Sequence, residues 1–164
     1  MFGLKKNSLI SAAAFLCALL PAAASAALQT GGAAPNVNLT TTTGATVSLE
    51  SLRGRPVYLD FYATWCPYCK AETPTIESLQ NTYGKNVAIV GVDEEESATI
   101  VRQFAAQNGL TYTMALDPNG SAGDMFGADA LPTNVFIDRN GSIRSIHTGE
   151  MTASEIEGAL KQIE

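Results

Sequence analysis

Val57-Tyr58-Leu59-Asp60-Phe61-Tyr62-Ala63 is apolar almost without interruption and rich in β-formers, the pattern of a strand covered on both faces. Val87 to Val92 repeats it. Between the two runs, Ile76, Leu79 and Tyr83 recur at helical spacing. They predict a helix from Pro67 to about Tyr83, stopped by Gly84. Pro74 lies inside it, which predicts a kink near residues 70–74 within one helix. Ile100, Val101, Phe104 and Ala105 predict a second helix ending at Asn108-Gly109. Shorter β-like runs cover Val37–Thr41 and Thr46–Leu49 as a hairpin around Thr43-Gly44-Ala45, then Tyr112–Leu116, Val135–Ile137 and Ile143–His147. The last two flank Asp138-Arg139-Asn140-Gly141, whose Asn-Gly pair is a hairpin signal. Asp117-Pro118-Asn119-Gly120 reads as a turn, Ser121–Phe126 as one helical turn, and Thr152–Ile163 as a final helix with Thr152 and Glu155 forming a capping box. The order is a hairpin followed by β, α, β, α, β, β, β and α. Alternating strands and helices require parallel crossovers, and the last pair is antiparallel. The fold class is therefore α/β, a mixed central sheet with helices on both faces and an N-terminal β-hairpin.

The N-terminus adds a compartment. Lys5 and Lys6 precede the apolar stretch Leu9–Leu20, Pro21 breaks it, and Ala24-Ser25-Ala26 is a small-x-small cleavage site. Residues 1–26 read as a secretory signal peptide cut after Ala26, the alternative being an uncleaved membrane anchor. Cys17 follows the bulky Leu16 and does not read as a lipoprotein cysteine. Removing the segment leaves residues 27–164, 138 residues in one domain, with 27–34 as a small, polar, flexible tail. Loss of two lysines takes the formal charge from −6 to −8, which leaves no electrostatic footprint for nucleic acid or anionic lipid. The four acids Asp93–Glu96 could be a patch for a metal or a basic partner. Their place before the second helix predicts instead a helix N-terminus whose dipole they complement.

The mature chain keeps two cysteines, Cys66 and Cys69. A disulfide across Cys-x-x-Cys closes almost no loop and adds little stability by chain entropy, so its value is chemical. Pro67 is favoured at the first helical position, which puts Cys66 at the N-cap, facing orphan N–H groups that stabilise a thiolate. Cys66 is then the exposed attacking thiol, and Cys69, one turn in and more buried, resolves the mixed disulfide. A zinc site would need two further ligands, and the mature chain holds one histidine and no other cysteine.

Asp60-Phe61-Tyr62-Ala63-Thr64-Trp65-Cys66-Pro67-Tyr68-Cys69 resembles the active-site segment of the thioredoxin superfamily. Gly54-Arg55-Pro56-Val57, Cys69-Lys70-Ala71-Glu72-Thr73-Pro74, Leu131-Pro132-Thr133 with Val135-Phe136-Ile137-Asp138, and Asn140-Gly141-Ser142-Ile143 through His147-Thr148-Gly149 are similar to the TlpA/ResA-like (redoxin) branch. The resemblance covers about residues 33–163 and implies a thioredoxin-like fold. It also implies a cis-proline loop at Leu131-Pro132 beside the dithiol, where the Leu131 backbone would pair with an extended substrate strand. Trp65, Pro67 and Tyr68 would form an apolar rim for partners, although Trp65 could simply pack the loop.

Asp60 is the only charged residue in its strand. It is either a solvated strand end or a buried acid whose raised pKa suits it to take the Cys69 proton. In thioredoxins an aspartate holds this place, whereas many TlpA/ResA-like proteins carry a neutral residue. Glu72, three residues after Cys69, is either an exposed helical residue or, as in the ResA-like group, a glutamate tuning both thiols. If buried with Asp60 it would share protons. His147, the only histidine, is read as structural and away from the dithiol.

The resemblance implies a periplasmic thiol–disulfide oxidoreductase that reduces disulfides of exported cysteine-containing proteins, in cytochrome c maturation for example. It would draw electrons from a membrane thiol–disulfide carrier, as a monomer with no cofactor and no metal. Pro-Tyr between the cysteines is less reducing in character than Gly-Pro, so an oxidant or isomerase is the enzymatic alternative. A peroxidase lacks its Pro-x-x-x-Thr-x-x-Cys spacing here. A copper metallochaperone would prefer Cys-x-x-x-Cys with a placed histidine, and a binding module that merely keeps the fold is the non-catalytic option.

Overall fold

The computed structural model describes residues 30–164. The expected signal peptide, its cleavage site and Cys17 lie outside the described residues. From residue 31 onward the presumed tail is tied down. Gly31 N–H donates to Ile143 O, Ile143 N–H to Gly32 O and Ala34 N–H to Gly141 O, and Ala34 is buried. Small side chains let this segment lie against the last hairpin, so the flexible-tail expectation fails for residues 31–34.

The elements are β1 (Asn38–Thr41), β2 (Thr46–Ser48), β3 (Val57–Tyr62), α1 (Pro67–Tyr83), β4 (Ala88–Glu94), α2 (Ala98–Asn108), β5 (Thr113–Asp117), α3 (Ser121–Phe126), β6 (Thr133–Ile137), β7 (Ile143–Thr148) and α4 (Ala153–Ile163). They build one seven-stranded mixed sheet in the order β2-β1-β5-β4-β3-β6-β7. β3 is central, parallel to β4 and antiparallel to β6, and all six of its residues are buried. That is why its sequence is a continuous apolar run. Tyr58 and Tyr62 pack on one face with both cysteines, Ile76 and Leu79 of α1, Val101 of α2, and Ile156, Leu160 and Ile163 of α4. Val57, Leu59 and Phe61 pack on the other with Phe126 of α3 and Val37 and Leu39 of the N-terminal segment. Helices thus cover both faces, the dithiol face more thickly.

α1 stays one helix through Pro74. The α2 and α4 boundaries follow their local chemistry. Gly109 takes the left-handed cap at φ 64°, and Thr152 and Glu155 form the reciprocal capping box. At the β6–β7 hairpin Asp138 accepts from the N–H groups of Asn140 and Ser142, and Gly141 supplies φ 76°.

The acidic run departs from expectation. β4 continues through Asp93 and Glu94, which stay in register with Leu116 and Asp117 of β5. α2 is capped by Ser97, whose side chain accepts from Ile100 N–H, and its first turn contains no acid. The ladder therefore holds Asp93 and Glu94 in the sheet, and Ser97 takes the capping role assigned to the acids.

Candidate active site

β3 ends at Tyr62, and the chain turns through Ala63–Cys66 into α1, with Cys66 N–H donating to Ala63 O at 3.1 Å. Cys66 is the N-cap of α1, Pro67 its first residue, and Cys66 Sγ accepts the Cys69 N–H at 3.3 Å. The two cysteines form a disulfide with Cα atoms 5.3 Å apart. On reduction the same N–H and the helix N-terminus remain in place to stabilise a Cys66 thiolate.

Exposure corrects one expectation. Cys66 is as buried as Cys69, each 3% exposed, because Trp65 and Tyr68 flank it and the 130–132 loop lies above. The carbonyl of Leu131 is 3.8 Å from Cys66 Sγ. What distinguishes the pair is the open groove of about 530 Å³ beside them, lined by Trp65, Cys66, Pro67, Tyr68 and Leu131 but not by Cys69. Trp65 and Tyr68 are 66% and 64% exposed and form an apolar rim on which, among the described residues, nothing is packed. The Leu131–Pro132 peptide is cis, and Pro132 O accepts from Gly149 N–H at 2.8 Å. Ala128, Asp129, Glu94 and Glu95 complete the groove.

Asp60 and Glu72 are both buried on the dithiol side, away from the groove. Glu72 Oε1 accepts from Met151 N–H at 3.0 Å and from Asn134 Nδ2 at 3.3 Å. Burial pushes Glu72 up to about 7, against the lowering pull of those two donors. Asp60 Oδ1 has no hydrogen-bond partner, and burial, then the charge of Glu72, holds Asp60 well above the carboxylate range. Both carboxyls are therefore shifted toward their neutral forms, by burial first. His147 sits exposed on β7, paired with Asn134 across the β6–β7 ladder. Among the described residues no group of three or more His, Cys, Asp and Glu side chains is placed to hold a metal ion.

Asn134 was invisible as a site residue. It faces Asp60 across the β3–β6 ladder, accepts the Tyr58 hydroxyl at 2.5 Å and donates to Glu72. Because the buried phenol must donate, the amide orientation is fixed and its N–H groups turn to the carboxylate. The apolar pattern started this strand at Val135, one residue too late to include it, whereas pairing with β3 extends β6 back to Thr133. Asn134→Ala strands both partners in the interior, with an expected loss of about 2–4 kcal/mol in urea unfolding; a loss below about 0.5 kcal/mol would contradict the network.

The sequence matches the Redoxin family over residues 29–163. The chain belongs to the redoxin family. This redoxin is 35% identical over 137 residues to the thiol-disulfide oxidoreductase ResA of Bacillus thuringiensis (strain Al Hakam), covering 83% of this chain and 79% of that protein. It is 38% identical over 136 residues to the thioredoxin-like protein YneN of Bacillus subtilis (strain 168), covering 81% and 79%. A Chlorobium tepidum structure, a candidate thiol:disulfide interchange protein DsbE, superposes with TM-score 0.76 at 32% identity, covering 83% of this chain and 98% of that one. A secreted Mycobacterium tuberculosis disulfide oxidoreductase homologous to E. coli DsbE gives TM-score 0.70 at 26% identity, covering 77% and 95%. The redoxin is a thiol–disulfide oxidoreductase of the ResA/DsbE type, with Cys66–Cys69 as its Cys-x-x-Cys pair, on the thioredoxin-like fold anticipated from its motifs.

Proposed function

We propose that this redoxin is an exported reductant of protein disulfides. The observation that carries the reading is the Cys66–Cys69 disulfide at a helix N-cap, bordering an apolar-rimmed groove beside the cis Leu131–Pro132 peptide. In the reduced protein, the Cys66 thiolate attacks one sulfur of a partner disulfide and the partner's other sulfur leaves as a thiolate. Cys69 then loses its proton and attacks Cys66, the mixed disulfide breaks, the partner departs with two thiols, and the Cys66–Cys69 bond forms. Ionised Glu72 takes the Cys69 proton, with Asp60 as the second buried carboxyl on the same face of the sheet. Trp65, Pro67, Tyr68, Leu131 and Pro132 hold the partner segment against Cys66.

Reducing character finds support in the acids beneath the pair. Negative charge held on Glu72 opposes thiolate formation at both sulfurs, and a less stabilised reduced form means a lower potential. The n-region, apolar stretch and Ala24-Ser25-Ala26 site support export. Among the described residues no helix is long and apolar enough to cross a membrane. The substrates in this reading are exported cysteine-containing proteins, apocytochrome c among them, with electrons from a membrane thiol–disulfide carrier.

The potential tests the direction. Equilibration against glutathione or dithiothreitol is expected to place the couple below about −200 mV, and a value near −120 mV would make the protein an oxidant and overturn the reductant reading.

A further inference from the structure

The turn that presents Cys66 is gripped by a residue outside the thiol chemistry. Within the turn closed by Ala63 O and Cys66 N–H, Thr64 and Trp65 are the central residues, and one carboxylate takes both donors of Thr64. Glu96 Oε2 accepts the Thr64 N–H at 2.5 Å, and Glu96 Oε1 accepts the Thr64 hydroxyl at 2.8 Å. Glu96 lies between β4 and α2, so the contact ties the loop leaving β4 to the turn leaving its parallel neighbour β3. Two charge-assisted bonds to one residue fix orientation as well as position. Among the described residues nothing else bonds the Thr64 N–H.

Asp93, in register with Tyr62 at the strand ends, is fully buried, and its carboxyl oxygens make no hydrogen bond of good geometry although Glu96 lies within interaction range. Burial first, then the adjacent Glu96 carboxylate, pushes it up to about 8. Asp93 is thus held toward its neutral form, and Glu96 is the carboxylate in contact with Thr64.

We propose that Glu96 is a positioning residue for thiol–disulfide exchange, holding the 63–66 turn through Thr64 so that the Cys66 sulfur stays on the N-terminus of α1. The inference rests on Cys66 being the attacking thiol. Without the grip, Cys66 leaves the Cys69 N–H for part of the time and its thiolate loses that stabilisation. Loss of the Glu96 charge alone would act in the opposite direction, lowering the thiol midpoint. The sign of the shift therefore separates positioning from charge.

The test is the pH profile of Cys66 alkylation by iodoacetamide in the reduced full-length protein, with thermal unfolding of each variant alongside. For Glu96→Ala the profile is expected to move to higher pH, with an alkylation rate about tenfold lower on the acidic limb and an unchanged plateau at high pH. Thr64→Val, which keeps the backbone N–H contact, is expected to lose about threefold on the same limb, and it decides the matter if Glu96→Ala does not fold. Glu96→Gln retains a carbonyl acceptor for the Thr64 N–H and returns the acidic limb to the parent rate or above. Profiles of Glu96→Ala or Thr64→Val that superimpose on the parent, or move to lower pH, overturn the proposal. Glu96→Gln shifting upward as far as Glu96→Ala does so too. A parent whose disulfide reduction survives Cys66→Ser would overturn the underlying functional reading instead, a separate result.

Discussion

Cys66→Ser abolishes disulfide reduction, with an expected fall in insulin-reduction rate of at least about a thousandfold, since Cys66 is the thiol that borders the groove where a partner disulfide would sit. The geometry makes the two cysteines unequal despite their equal burial. Cys66 borders the groove and caps the helix, whereas Cys69 does neither. Cys69→Ser therefore has a different outcome. The first exchange still occurs, the resolving step does not, and the partner stays bound to Cys66 as a mixed disulfide that a reductant releases. Both variants keep the apolar surroundings of the site, and their thermal unfolding is expected within a few degrees of the reduced parent, as a small change in packing implies. Retained reduction by Cys66→Ser, or trapping at Cys69 in preference to Cys66, would reverse the assignment.

What could be read from the sequence was whatever depends on neighbours along the chain. Pro67 after Cys66 defined the N-cap because a proline and a cap interact within one turn. The buried run Val57–Ala63, the Asn140-Gly141 hairpin and the Thr152–Glu155 box were legible for the same reason. The order of strands and helices then left few arrangements of the sheet. Contacts between distant elements were not legible. Glu96 meets Thr64 only because β3 and β4 lie side by side and parallel. In the linear chain it is the last of four acids before a helix, and dipole complementarity was the natural but incorrect account. Asn134 reaches Glu72 because β6 pairs with β3 and α1 lies above both, a coincidence of three elements that no single stretch encodes. The equal burial of Cys66 and Cys69 was hidden likewise, because the residues that cover Cys66 come from the 130–132 loop as well as from its own turn. Leu131-Pro132 was identified through family resemblance, since an X–Pro pair alone favours trans.

Folding stability is expected to fall as pH rises from 5 to 7.5, the reverse of the usual behaviour of buried carboxylates in ion pairs. Burial raises Asp93 to about 8 and Glu72 and Glu94 to about 7 and holds Asp60 well above its ordinary range, while in the unfolded chain all four ionise near pH 4. Between those limits the folded state binds more protons than the unfolded one, so the slope of unfolding free energy with pH is negative. Stability from these groups is fully present below pH 4 and is lost as pH climbs through the folded values. Each carboxyl contributes about 1.4 kcal/mol per pH unit in that window, and relaxation of the interior reduces the total, leaving an expected loss on the order of 3 kcal/mol. Glu155 and Glu157, whose hydrogen bonds lower them, act at more acidic pH and do not offset the trend. Urea unfolding of the oxidised protein, in which neither active-site thiol titrates, isolates the effect. Asp93→Asn removes the ionisable group and keeps an N–H donor toward Glu96, so it should flatten the slope and stabilise the protein at pH 7.5 relative to the parent. A flat or rising profile in the parent would show that these carboxyls reach solvent when they ionise.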